Sequence, residues 1–458
     1  MNKRSAKPGG GQGNVWIDIS TLSKALAKPG SRASGIPRVV QEIALAARGK
    51  ARTGFPIKLV RYDRVLPGFV VAEFAELDEM LARTGQQPSR IPSPREILRK
   101  VVPAQVKNLI KLEKRITEPL IMARQKARGL VSRGDAKASA MQHPFKDGDV
   151  WINPGSWWQA GVLEALSEIK SGGVGLHCSF LIHDCLPLIY PEFFRAEDAA
   201  IWRERLPALA PVADTILANS QNTAQDIAEA IPAVADRIHT IGFGESFDLA
   251  KPPSAEIASH LNDLAVRRPY VLMVGTLEVR KNHILAFRAW RSLQRRKTAG
   301  LPQLIFAGRW GWKTADLRDE IEASEYLGGL LTIVEGPSDA VLAALYAGAE
   351  FTLFPSHYEG WGLPVRESLA FGKACLAARN SAIPEAGGAL ATYFKSNSQP
   401  DLEAKLLEWI AAPATLSRTE NKIAAEFKPV SWDICLSQTI EAARSADLAH
   451  HSSQSRPT

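Results

Sequence analysis

Two carboxylates, Glu359 and Glu367, stand eight positions apart around a Gly-Trp-Gly turn in FPSHYEGWGLPVRESLAFG. A second charged pair, Arg280 and Lys281, sits in GTLEVRKN, directly after the apolar run YVLMV. Arginine offers a bidentate fork and lysine a compact positive charge, and both suit phosphate oxygens. Carboxylates in the same crevice cannot hold phosphate; they accept hydrogen bonds from hydroxyls, such as a ribose cis-diol. The run EFTLFP precedes Glu359, and a helical pattern starts at Pro364, about one turn before Glu367. Such a strand–turn–helix unit aims backbone N–H groups and a helix dipole at the carboxyl edge of a sheet. Glycine at Gly360 and Gly362 permits close backbone approach, so the amides from Gly360 to Leu363 are expected to face the ligand. Cations for a diphosphate, flanked by acids for hydroxyls, describe a binding site for a nucleotide-linked sugar.

Other residues are weaker candidates. His183 ends the apolar run CSFLIH, and Asp184 beside it is expected to fix loop geometry. Gly35 and Arg38 lie in SGIPRVV, which resembles a glycine turn that approaches a leaving phosphate; Pro37 stiffens the turn, and the alternative is that Arg38 simply begins the helix. Glu385, in IPEAGG, is expected to order the adjoining loop beside the donor. Asp147-Gly148-Asp149 has the form of a metal-binding DxD, but Asp-Gly before a strand is ordinary turn chemistry, and no catalytic metal or other cofactor is expected. Trp157, Trp158, Trp310 and Trp312 read as core or loop anchors, whereas Trp361 is placed beside the donor. Paired carboxyls also serve glycosidases. A nucleotide diphosphate, however, is a good leaving group that needs charge neutralisation more than a proton, which disfavours a hydrolase.

The elements that must position these residues repeat in two series. Strand-like runs at Val15–Ile19, Pro56–Tyr62, Asp149–Asn153, Cys178–His183 and Asp214–Ala218 alternate with helical patterns from Val39 and at Trp157–Ile169, Glu197–Leu209 and Gln221–Ile231. The alternation restarts with Tyr270–Thr276, Gln303–Gly308, Leu330–Gly336, Glu350–Pro355 and Ala374–Ala378. Alternating strands and helices make βαβ units and a mostly parallel sheet. The chain is therefore read as α/β, two Rossmann-like domains facing across a cleft. The boundaries are a flexible tail at 1–14, an N-terminal acceptor domain at 15–250, a donor-nucleotide domain at 251–430, a helix at 431–446 and a disordered tail at 447–458.

The chain has 458 residues, 45% hydrophobic and 23% charged, with a net charge of +8. That is enough for two full cores in a soluble protein. No uncharged apolar run is long enough to span a membrane, and the basic N-terminus lacks the apolar stretch of a signal peptide. Four cysteines (Cys178, Cys185, Cys375, Cys435) form no metal-ligand spacing, consistent with buried thiols in a reducing cytoplasm. Between Arg90 and Lys137, 13 Lys/Arg face 4 acids, so the basicity of the chain belongs to this one segment. That argues against nucleic acid as the partner. Interleaved apolar residues (Val106, Leu109, Ile110, Leu112, Ile116) make the segment, about 90–137, a cationic helical insert broken by Pro103 and Pro119. It is either a solvated hairpin or a dock for an anionic membrane surface.

EGWGLPVRE, with its E-x7-E spacing, resembles the signature of the retaining family-4 glycosyltransferases of the GT-B fold. GTLEVRKN resembles the donor-phosphate loop of that family. LIFAGRWGW, LYAGAEFTLFPS and SAIPEAGG follow in the expected order, and SGIPRVVQEI, HDCLPLIYPEFF and ADTILANSQNTAQDI resemble N-terminal blocks of the same family. The likeness runs from about Val15 to Trp432, with the insert and both tails outside it. It implies a catalytic set of His183, Glu359 and Lys281. It implies donor binding by Gly35, Thr276, Arg280, Lys281, Glu359, Gly360, Trp361, Gly362, Leu363 and Glu367. Thr276 stands where family members often carry an arginine, so the division of labour between Arg280 and Lys281 stays open.

The implied activity is transfer of a hexose (mannose, glucose or rhamnose) from a nucleotide diphosphate sugar to a hydroxyl of a glycan or glycolipid acceptor. A lipid-linked polysaccharide or lipopolysaccharide is the expected acceptor, and the cytoplasm, or the inner face of its membrane, the expected site. The alternatives are a nucleotide-sugar epimerase or hydrolase on this fold, and a catalytically silent sugar-binding subunit.

Overall fold

The computed structural model describes residues 13–27, 31–65, 67–83, 142–245, 257, 261–267 and 269–454. The basic insert expected at 90–137 lies outside the described residues. So do the tails at 1–12 and 455–458 and most of the expected seam around Lys251–Ser254.

Two sheets account for the strands. The first comprises β1 (Val15–Asp18), β2 (Ile57–Asp63), β3 (Gly68–Ala72), β4 (Val150–Asn153), β5 (His177–Ile182), β6 (Thr215–Ala218) and β7 (Ile238–Thr240). Their order is β3-β2-β1-β4-β5-β6-β7, parallel except that β3 runs antiparallel to β2. The second comprises β8 (Tyr270–Val274), β9 (Gln303–Ala307), β10 (Leu331–Val334), β11 (Phe351–Phe354), β12 (Cys375–Arg379) and β13 (Thr392–Lys395). It is parallel throughout, in the order β10-β9-β8-β11-β12-β13. Numbered from its own first strand that order is 3-2-1-4-5-6, the doubly wound arrangement, in which the order reverses between β8 and β11.

Both sheets are covered on both faces, which is why their strands read as nearly unbroken apolar runs. All residues of β1, β4, β5, β6, β9 and β11 are buried. One face of the second sheet carries Phe287, Trp290, Phe306 and Trp409; the other carries Tyr270, Ile305, Leu345 and Tyr346.

Five elements differ from the sequence expectations. The helix expected over Trp157–Ile169 spans Val162–Ser171, because Trp157 turns back to Gly155 and is wholly buried. Strands β3, β7 and β13 are additional to the expected set; β3 holds the short run FVVA, whereas β7 and β13 carry no long apolar run and owe their pairing to the sheet. The terminal helix runs Trp432–Gln454, beyond the expected 431–446 and into the stretch read as a disordered tail. It also returns to the first domain, where Trp432, Cys435, Leu436, Ile440 and Ala443 join the core under Val39, Val40 and Ile43. The chain thus crosses between the domains twice, near Glu245 and near Val430. The two crossings are clipped together, since the Glu245 amide donates to the Val430 carbonyl at 3.0 Å and Arg366 Nε donates to Glu245 at 2.7 Å.

Candidate active site

The charged cluster forms where the strand order of the second sheet reverses. Arg280 and Lys281 follow β8 on the short turn Val279–Lys281, and Glu359 follows β11. The β8 loop is pinned onto the end of β9, with the Leu277 amide donating to Arg309 O at 2.8 Å and the Leu277 side chain fully buried. Asn282 then takes a left-handed conformation (φ 58°) and ties this loop to β11, its Nδ2 donating to the Pro355 carbonyl at 3.2 Å. Thr276 sits within the loop, its methyl close to where a side chain at Gly311 would begin.

Glu359 lies between the two cations. Its carboxylate accepts from Arg280 Nη1 at 2.5 Å and from Lys281 Nζ at 2.6 Å. Glu278, missed in the sequence reading, takes the far side of Arg280 at 2.8 Å. The four side chains are all largely buried, with two charges of each sign. Burial alone would push the Glu359 carboxyl up, but Arg280 and Lys281 outweigh it and hold it below the usual range. Burial lowers Arg280 as well, yet Glu359 and Glu278 keep it firmly protonated. Lys281 moves the other way: burial, reinforced by the adjacent guanidinium, depresses it despite Glu359. The ammonium also stands 5.2 Å from the Phe354 ring centroid, a cation–π contact.

Glu367 stands apart from this cluster on the helix Leu363–Ala370, as expected. It accepts from the Tyr346 hydroxyl at 2.7 Å, and burial raises its carboxyl. Arg38 acts on Glu367 electrostatically from the other domain. Arg38 follows Gly35 at the start of the helix Ile36–Arg52 and pairs with Glu42 at 2.8 Å and with Asp339, across the cleft, at 2.7 Å. Arg38 thus lies in the first turn of its helix and also pairs with an acid of the other domain.

The turn between the glutamates does something the sequence did not suggest. A Cβ on Gly360 would collide with the His183 carbonyl oxygen, so the absent side chain lets the turn close against the first domain. Gly362 (φ 140°) then turns the chain into the helix. Trp361 packs against apolar clusters of both domains, and Leu363 against that of the first, so neither side chain is simply a donor contact. The amides of Gly360, Trp361, Gly362 and Leu363 donate no hydrogen bond among the described residues.

His183 is buried at the end of β5, and its Nε2 lies 2.9 Å from the Pro154 carbonyl. Only a protonated Nε2 can bond there, which leaves Nδ1 as an acceptor. Burial lowers this imidazole to about 4, so it is neutral at pH 7. Asp184 donates nothing; it accepts from the Leu186 amide at 3.1 Å, capping the next turn as expected, and burial raises it in spite of Arg280. Asp149 of the DxD sequence is likewise structural, holding Asn14, the Trp16 indole and the Lys146 amide. Among the described residues no group of His, Cys, Asp and Glu has the arrangement to hold a metal ion.

Glu385 departs from expectation. It caps the helix Gln221–Ala230 of the first domain, accepting from the Gln221 amide at 2.7 Å and the Asn222 amide at 2.8 Å. Beside it the Tyr358 hydroxyl meets Asp226 at 2.7 Å and Asn222 Nδ2 at 2.6 Å. Further along the cleft Trp312 donates to the Phe193 carbonyl at 2.7 Å and Lys313 to that of Glu192. These partners lie more than a hundred positions apart in sequence, and no local pattern pairs them.

Residues 259–425 match the family described as glycosyl transferases group 1. The serotype-specific mannosyltransferase WbdA of Escherichia coli is 28% identical over 262 residues, 54% of this chain and 32% of that protein. The O-antigen chain mannosyltransferase B of Escherichia coli is 27% identical over 261 residues, 57% of this chain and 68% of that protein. The chain thus spans about a third of the first relative and two thirds of the second. Among solved structures, Anabaena Alr3699/HepE in complex with UDP superposes with a TM-score of 0.55 at 15% identity, covering 96% of this chain and 100% of that one. The fold is GT-B.

Proposed function

We propose, on the premise that residues 259–425 are a glycosyl transferases group 1 domain, that this protein is a retaining hexosyltransferase. It moves a sugar from a nucleotide diphosphate sugar to a hydroxyl of a growing glycan. One observation carries the reading: Arg280, Lys281 and Glu359 meet at the strand-order reversal, against the His183 edge of the facing domain. Ligands of open α/β sheets bind at that reversal. The four unengaged amides from Gly360 to Leu363 lead a helix and add an anion-binding N-terminus there. The likeness to two mannosyltransferases of Escherichia coli makes mannose the first sugar to test and a lipid-linked polysaccharide the first acceptor.

In this reading the diphosphate lies on Arg280 and Lys281, and Glu367 takes the ribose hydroxyls. Glu359 and the Nδ1 acceptor of His183 orient hydroxyls of the transferred sugar. The bond from the anomeric carbon to the phosphate oxygen breaks as the acceptor oxygen attacks from the same face. The leaving phosphate takes the acceptor's proton, and the two cations take the charge that develops on it. Arg280 stays charged throughout, whereas Lys281, with its depressed affinity for a proton, is the softer of the two. The leaving-group charge is thereby assigned to side chains and not to a metal ion.

A thermal-shift screen against UDP, GDP, ADP and TDP and their hexosyl derivatives tests the donor assignment. A ligand at ~100 times its dissociation constant adds ~2.7 kcal/mol to stability. No shift with any of them sinks the reading.

A further inference from the structure

We infer that Tyr358 and Glu385 are positioning residues that fasten the Glu359 turn to the first domain and hold the cleft closed. For its consequence at the donor site the inference rests on the reading above; the fastening itself does not.

The helix Gln221–Ala230 begins with three amides that have no partner within the helix. Ser220 Oγ accepts from the third, that of Thr223, at 2.9 Å. The first two, of Gln221 and Asn222, are both taken by Glu385 from the other domain, at 2.7 and 2.8 Å. A carboxylate is the group best matched to that end of the helix dipole. One residue further along, Thr223 Oγ1 donates to the Gly360 carbonyl at 3.2 Å. One turn further still, Asp226 receives the Tyr358 hydroxyl at 2.7 Å while Asn222 donates to the Tyr358 oxygen at 2.6 Å. A single helix of the acceptor domain therefore grips three points of the donor domain.

All three grips lead to Glu359, Gly360 being the residue that follows it. Tyr358 is its neighbour in sequence. Glu385 belongs to the helix Ile383–Gly387, and the residues entering that helix hold the backbone of Glu359. Ser381 Oγ accepts from the Glu359 amide at 2.9 Å, and the Ala382 amide donates to the Glu359 carbonyl at 3.4 Å. Opening the cleft breaks the Glu385 and Tyr358 contacts together and frees the segment that sets Glu359 between Arg280 and Lys281. Closure and the geometry of the charged cluster are one event.

The test compares Glu385→Gln, Tyr358→Phe and the double variant with the wild type. Small-angle scattering reads closure, and hydrogen exchange across 221–230 reads the capped helix. Loss of a helix cap or of a charge-assisted bond of this kind shifts an equilibrium by about fivefold. Each single variant is expected to exchange about fivefold faster at the start of this helix and to scatter as a more extended particle. The double variant should fall short of the product of the two, because both act on one closure step. Glu385 is exposed, so its replacement leaves no buried group unpaired and judges the latch even where Tyr358→Phe weakens the fold. Unchanged exchange and scattering in Glu385→Gln would overturn the inference. A wild type that closes as described yet binds no nucleoside diphosphate overturns the donor reading and leaves the latch standing.

Discussion

Replacing Glu359 with Gln should destabilise the free protein and at the same time tighten its hold on a nucleoside diphosphate. Glu278, Glu359, Arg280 and Lys281 sum to no net charge, and all four are largely withdrawn from water. Removing one partner of such a buried set costs about 3–5 kcal/mol, chiefly through the charge left uncompensated. That charge is what an incoming diphosphate would meet. One unit of charge at ~4 Å in an effective dielectric of ~20 amounts to ~4 kcal/mol, an upper limit on the gain in binding. Because the Glu359 carboxyl is held below its ordinary value of 4.5, its stabilisation is present at neutral pH and lost only as acid protonates it. A comparison at pH 7 therefore reads the full effect. The assay is thermal unfolding with and without nucleoside diphosphate, alongside calorimetric titration with the same ligand. The variant should melt lower when free, bind the diphosphate at least tenfold more tightly, and transfer sugar poorly because an amide donor replaces one of the two accepting carboxylate oxygens. Equal or weaker diphosphate binding, with unchanged melting, would refute the assignment of Arg280 and Lys281 as the phosphate seat.

Further expectations follow from other residues. Glu367→Ala should weaken nucleotide binding by roughly 1–3 kcal/mol through loss of charged hydrogen bonds, and the loss should vanish for a ligand without ribose hydroxyls. His283 is fully buried with both ring nitrogens unpartnered among the described residues, and burial lowers it to about 3, so its protonation favours the unfolded chain. Stability is then complete above pH ~6.5 and falls on acidification; between pH 7 and 5 this one group removes about 2 kcal/mol. His283→Leu should flatten that part of the denaturant-measured pH profile, and an unaltered slope would contradict the burial argument. Neutralising the lysines and arginines of residues 90–137, where 13 Lys/Arg face 4 acids, should release the protein from anionic vesicles without altering nucleotide binding. Retention on the vesicles would rule that segment out as the membrane contact.

The parts of the molecule that the sequence shows are those with a local cause. Runs such as YVLMV and EFTLFP are apolar because both faces of their sheets are covered, so β8 and β11 were legible, and with them the loops that carry Arg280, Lys281 and Glu359. Glycines 360 and 362 marked a close approach, but not what was approached; for Gly360 it is the His183 carbonyl of the other domain. Strands β7 and β13 and the docking of Trp432–Gln454 on the first domain come from tertiary pairing and leave no periodic trace. The partners of Glu385 and Tyr358 lie 164 and 132 positions away, and nothing in either neighbourhood announces them. Glu278 stands two positions before the recognised pair and escaped notice because an acid near two cations does not advertise which of them it binds.

The central claim is that these residues transfer a sugar from a nucleotide. Its most direct test presents a panel of radiolabelled hexosyl nucleotides, GDP-mannose among them, to the wild type and to Lys281→Ala with a lipid-linked glycan acceptor. Label should pass to the acceptor with the anomeric configuration kept, and Lys281→Ala should lose most of that transfer. Release of free sugar independent of acceptor, an inverted product, or full transfer by Lys281→Ala would contradict the account.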